Sequence, residues 1–176
     1  HVTGVGFYEA LLNGRKIGEK QLDPSPTDYS RRVLYSTYLL ENDLRAGENV
    51  LTLRLGHGWY DMRSLGMWNY DGAPWRDRPK GVAQLVLEYA DGSRETVVTD
   101  ASWRQVGSPV LYDCIREGAT MGPAPAPDGL SAAVVPPPAG ALEAEELPAQ
   151  LMHHWAFDHL PGATTEDWTI KAATGF

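Results

Sequence analysis

Residues 55–81, LGHGWYDMRSLGMWNYDGAPWRDRPKG, hold the densest set of side chains able to do chemistry. Three of the six tryptophans and two tyrosines alternate there with Asp, Asn and Arg, without helical or strand periodicity. Trp and Tyr present broad apolar faces at small entropic cost. Asp, Asn and Arg supply directed acceptors and donors. The combination suits a sugar, whose C–H face stacks on a ring while its hydroxyl rim takes polar partners. The candidate stacking residues are Trp68, Tyr70 and Trp75, with Asn69, Asp71, Asp77 and Arg78 as hydroxyl partners. Trp68 is favoured because GMWNYDG reads as an exposed turn. The competing account is packing, in which Trp59 and Trp75 plug one end of the fold or face a neighbouring domain.

Other chemistries fit less well. Asp61, Asp71, Asp77, Asp113 and Glu117 include enough carboxylates for a glycosidase pair, which needs two groups about 5–10 Å apart. Loop carboxylates are ordinarily solvated, and no catalytic residue is expected in this chain. Calcium takes six to eight oxygens, about a dozen residues' worth of loop in the familiar motifs. The loop LDPSPTDY, through Asp23 and Asp28, and the turn WNYDG, through Asn69 and Asp71, are weak calcium candidates without an EF-hand pattern. His153, His154 and His159 do not read as a zinc site, because neighbours on a strand face opposite ways. There is no G-x-S-x-G, and GVG at 4–6 precedes no helix. The one cysteine, Cys114, reads as a small buried hydrophobe. Calcium apart, no cofactor is expected.

These residues need a scaffold, and the pattern predicts strands. Phe7, Glu9 and Leu11 alternate with Tyr8, Ala10 and Leu12 ahead of Asn13-Gly14, a hairpin turn pair. Runs at 33–39, 50–55, 82–89 and 95–99 alternate likewise, the last two joined by Asp91-Gly92. Trp103 is expected to pack beneath that hairpin. Residues 40–49 read as one helical turn and a Gly-led turn, and 108–122 as a weaker strand and loop. Short strands between Gly, Asp and Pro turns point to an antiparallel β-sandwich.

Residues 1–122 are read as this sandwich, 123–148 as an extended connector, and 149–176 as an exit strand and the start of another β-domain. The connector holds seven of the thirteen prolines, which excludes a continuous helix or a central strand. The formal charge of −8 disfavours nucleic acid as a partner. No apolar run approaches the roughly 20 residues of a membrane-spanning helix. A single cysteine leaves the compartment open.

The order of motifs resembles the N-terminal β-sandwich module of bacterial α-L-rhamnosidases. The carriers are FYEALLNG, TDYSRRVLY, GEN, LGHGWY, and the later DRP, AQLVLEYADGS and TDASW, spread over about residues 4–118. REGATMGPAPAPDGLS departs from the family pattern. The resemblance implies an all-β, jelly-roll (galactose-binding-like) antiparallel sandwich within a multidomain glycoside hydrolase. It implies a catalytic (α/α)₆ barrel elsewhere on the same polypeptide as partner. In some family modules it implies an L-rhamnose site with calcium. A structural spacer without ligand, and a lectin-like module of another glycoside hydrolase, are the alternatives.

Overall fold

The computed structural model describes residues 1–62, 69, 72–123, 126, 129–146, 154–158 and 169–173, the last two segments as backbone. Within them the chain forms fourteen strands and no α-helix.

Strand β1 (Val2–Val5) pairs antiparallel with the start of β6 (Lys80–Glu88), and β6 turns back into β7 (Arg94–Val98). The turn uses Asp91-Gly92 as expected, with Gly92 at φ 83°. On the other side of β1, a Val2–Ser36 bridge sets β4 (Arg32–Tyr35) alongside it. The order β12, β4, β1, β6, β7 follows, where β12 (Ala141–Ala144) runs parallel to β4. The second layer is β3-β2-β5. Here β2 (Phe7–Leu12) turns at Asn13 and Gly14, φ 53° and 81°, into β3 (Arg15–Lys16). Two successive left-handed residues match the right-handed twist of the flanking strands. Strand β5 (Leu51–Gly56) pairs with β2 along its full length, from Phe7↔Gly56 to Leu12↔Leu51. The fold is the all-β sandwich that the sequence pattern predicts, with β12–β4 as a parallel exception.

Smaller strand pairs are also present. β8 (Arg104–Gln105) pairs with β11 (Leu130–Ser131), β9 (Val110–Cys114) with β10 (Gly118–Met121), and β13 (His154–Asp158) with β14 (Thr169–Ala173). Trp103 is tied to the β7 end, its Nε1–H donating to the Val98 carbonyl at 3.0 Å. The expected single helical turn at 40–49 is present as a turn, with Leu44 N–H donating to Leu40 O.

The connector does more than connect. Strands β11 and β12 both lie in 123–148, and the Glu145 carboxylate accepts the Ser25 N–H at 2.8 Å. Six of its seven prolines precede β12, which sits at an outer edge where a strand needs partners on one side only.

All four residues of β1 are buried, which marks it as the central strand. Val2 and Val5 are three apart and so face opposite ways. Val2 packs with Tyr8, Ala10 and Ala83 between the layers. Val5 packs with Tyr29, Val33 and Tyr60 on the outer face of the β1 sheet. The sheet is therefore covered on both sides, by β2 and β5 on one and by loop residues on the other. Further out, the covering stops. Val82, Val86 and Val98 share one face and are 45%, 42% and 45% exposed. The same face carries Gln84, Glu88, Arg94 and Thr96, so its outer part mixes half-exposed valines with polar side chains.

Candidate functional site

The residue pair at the outset of the aromatic stretch positions everything after it. Strand β1 breaks into β2 at Gly6, φ 100°, directly against the exit of β5 at Gly56 and His57. The crossing brings residues 57–62 over the outer face of the sheet. Gly58, Tyr60 and Met62 are buried there, and Tyr60 and Met62 are among the most enclosed side chains described. Tyr60 stands edge-on to Tyr29 with ring centroids 5.1 Å apart, and Tyr29 is edge-on to Trp75 at 6.1 Å. Trp75 is half-buried against this cluster. Of the expected plugs, Trp75 thus packs inward, while Trp59 is half-buried beside the enclosed Tyr60.

The polar rim is built on the returning limb of the loop. Asp77 and Lys80 form an ion pair at 2.6 Å, and Arg78 N–H donates to Asp77 Oδ1 at 2.8 Å. The Lys80 hydrogen bond, first, and the Arg78 N–H hold the Asp77 carboxyl below the usual carboxylate range. The same bond raises the Lys80 ammonium. Burial pushes the Tyr60 phenol up. Arg78 and Asn69 are exposed, Asn69 at φ 54°. Trp68, Tyr70 and Asp71 lie outside the described residues. The described candidates therefore divide: Trp75 joins the packed cluster, and Asn69, Asp77 and Arg78 face solvent.

The reading by residue type passed over His57. Its main-chain N–H donates to Asp113 Oδ2 at 2.8 Å, and its ring Nδ1 meets Asp113 Oδ1. On the other side, Nε2 is 3.6 Å from Asp61 Oδ2, and Asp61 Oδ1 is 3.3 Å from Arg76 Nε. Asp61 and Asp113, weighed above as a carboxylate pair, flank an imidazole instead. No local signal marks His57, because its partner Asp113 is 56 residues away. Glu117 accepts a hydrogen bond from the Tyr112 hydroxyl at 2.5 Å.

Among the weak calcium candidates, Asp23 points into the body and is 5% exposed. Its Oδ2 accepts the hydroxyls of Tyr8 (2.5 Å), Tyr38 (2.6 Å) and Ser36 (2.9 Å), with Lys20 Nζ 3.9 Å from Oδ1. Asp28 accepts Ser30 N–H and Oγ–H and pairs with Arg31 at the surface. The Ser30 hydroxyl bond is the main cause that keeps the Asp28 carboxyl low. The two carboxylates do not converge, and no group of three His, Cys, Asp or Glu able to hold a metal occurs among the described residues. The loop 22–29 does not fit a calcium ion, because Asp23 is committed to hydroxyl donors. His153 and His159 lie outside the described residues, and His154 is in β13.

The tyrosines on Asp23 carry a pH dependence. Burial, then the hydrogen bond to Asp23, raises both phenols, Tyr38 to about 12 and Tyr8 further. In the unfolded chain both ionise near about 10. A folded-state value above the unfolded one gives stability that is complete below pH about 10 and lost as pH rises toward the folded value. Alkaline unfolding between pH about 10 and 12 is expected, with tyrosinate absorbance at these two positions rising together with loss of structure. Two early-titrating phenols in a still-folded chain would contradict it.

The comparisons with known proteins agree with this geometry. The domain family described as "Alpha-L-rhamnosidase N-terminal domain" matches residues 1–133. The chain belongs to this family. An α-L-rhamnosidase of Streptomyces avermitilis is 38% identical over 120 residues, covering 68% of this chain and 11% of that protein. Its structure, complexed with L-rhamnose, superposes with a TM-score of 0.61. One from Formosa agariphila is 33% identical over 124 residues, 68% of this chain and 13% of that protein. The structure of the α-L-rhamnosidase from Dictyoglumus thermophilum gives a TM-score of 0.71 at 32% identity, over 84% of this chain and 17% of that one. The chain thus spans 11% and 13% of the length of these first two relatives. The family match extends past residue 122 into the proline-rich segment, as β11 does.

Proposed function

We propose that this chain is the non-catalytic accessory sandwich of a multidomain bacterial α-L-rhamnosidase, which buttresses the catalytic domain and offers its aromatic end to sugar. One observation carries the reading: a family module corresponds to about a tenth of far longer enzymes that act on α-L-rhamnosides by name. Val82, Val86 and Val98, half-exposed on one sheet face among Gln84, Glu88, Arg94 and Thr96, support the buttressing part as apolar area for a neighbouring domain to cover. The catalytic step belongs to another domain of the same polypeptide, an (α/α)₆ barrel. Purified chain is expected to leave an aryl rhamnoside intact, and unaided cleavage would move catalysis into this module.

Titration with L-rhamnose tests the sugar part. Tryptophan fluorescence should change saturably, with a midpoint of about 1 mM, which corresponds to about −4 kcal/mol. Calcium belongs to this proposal through Asn69 and Asp71, and EDTA should weaken the response. Trp68→Ala should abolish it. A flat titration at millimolar sugar would favour a second reading, a spacer whose rings serve packing. The inward-facing Trp75 specifically supports that alternative. A response to other sugars in preference to rhamnose would favour the lectin-like module of a different hydrolase.

A further inference from the structure

We propose that His57 is a positioning residue that couples the β9–β10 hairpin to both limbs of the aromatic end. Its consequence for sugar binding rests on the reading above; the coupling itself does not.

The contacts form an unbroken series across sequence-distant elements. Asp113 lies within β9, in register with Ala119 of β10. Both of its carboxylate oxygens engage one residue, Oδ2 on the His57 main chain and Oδ1 on the ring. A carboxylate held at two points fixes the orientation of its partner. The ring's far nitrogen faces Asp61, whose N–H also donates to the His57 carbonyl at 3.1 Å. Asp61 then reaches Arg76, on the returning limb and next to Trp75. Side-chain exposures of 21%, 15% and 28% for His57, Asp61 and Asp113 place the series in partial shelter, where charged contacts are screened less than at the surface. The outgoing limb carries Trp59 and Tyr60, and the returning limb carries Trp75. One imidazole therefore sits between the hairpin and the rings on both limbs. Without it, the ring contacts to Asp113 Oδ1 and to Asp61 are lost together, and of this series only the His57 main-chain N–H still holds the hairpin.

The test uses the whole 176-residue chain. Amide hydrogen exchange is followed at 57–62, 73–78 and 110–121 in wild type, His57→Ala, His57→Gln and Asp113→Asn. The expected result for His57→Ala is exchange faster by about tenfold in all three segments together, with the β2–β5 ladder unchanged. Near-UV circular dichroism of the tryptophans should lose intensity in parallel. His57→Gln, whose side-chain amide takes the place of Nε2 and keeps one donor toward Asp61, should recover part of both signals. If His57→Ala does not fold, Asp113→Asn is read in the same way, because it weakens the link from the hairpin side alone. Exchange that quickens at 56–58 only, with 73–78 and 110–121 untouched, overturns the proposal. Where wild type responds to L-rhamnose, His57→Ala should also raise the midpoint about fivefold. A wild type without any rhamnose response defeats the sugar reading, while the exchange data still decide the coupling.

Discussion

Gly6→Ala is expected to destabilise the chain by more than about 3 kcal/mol, the largest effect of any Gly→Ala change among the described residues. Two separate costs combine. A left-handed backbone costs an L-residue about 1–2 kcal/mol, and Gly6 sits at φ 100°. The new Cβ would also lie 2.3 Å from the Gly56 carbonyl oxygen and 2.8 Å from that of His57. Those are backbone atoms of the β5 exit, so no side chain can rotate away. The strand crossing itself would have to open, and with it the seat of residues 57–62. Gly14→Ala is the control. Gly14 has φ 81° but nothing within 4 Å of an added Cβ, so it carries the conformational cost alone, about 1–2 kcal/mol. Urea unfolding of both variants separates the terms. Equal losses would show that the crossing is more pliable than its geometry implies.

Asp23→Ala is the second large effect, a loss of about 3–5 kcal/mol. The carboxylate is the common acceptor for Tyr8, Ser36 and Tyr38, and Lys20 approaches it from the side. Tyr8 belongs to β2, while Ser36 is bridged to β1, so one acceptor holds the two layers together. Truncation strands buried hydroxyls, and each unsatisfied group costs about 1–3 kcal/mol. Asp23→Asn keeps an acceptor oxygen and should lose roughly half as much. Tyr8→Phe introduced into the Asp23→Ala background should lose less than in wild type, because its hydroxyl partner is already gone. Strictly additive losses in that cycle would show that the hydroxyls do not share the carboxylate.

Much of the scaffold was legible from neighbours in the chain. Asn13-Gly14 and Asp91-Gly92 declared their hairpins because positive φ at a turn is a local demand. The alternation in 7–12, 50–55 and 82–88 declared strands for the same reason, since the side-chain period is set by the backbone. The ordered motifs sufficed to indicate the family, which the match over residues 1–133 shows. The site was legible in part: the stretch 55–81 stood out by its rings, and of these Tyr60 and Trp75 pack in the cluster over β1.

What eluded inspection shares one cause. Asp23, in a proline-rich loop, looks like a surface oxygen ligand, yet the Tyr8–Asp23 bridge draws it into the body. Residues 141–144, downstream of three prolines, look like linker, yet they lie in parallel register with β4, more than 100 residues earlier. His57, between two glycines, looks incidental, yet it sits on Asp113. Strand period, turn chemistry and composition act over a few residues, so the chain alone established the longer strands, their hairpins and the family. Which carboxylate turns inward, which ring packs and which histidine is held depend on pairings between residues 15 to 120 apart. Those pairings exist only after the layers have closed, because the geometry that satisfies a buried polar group is supplied by the opposite strand.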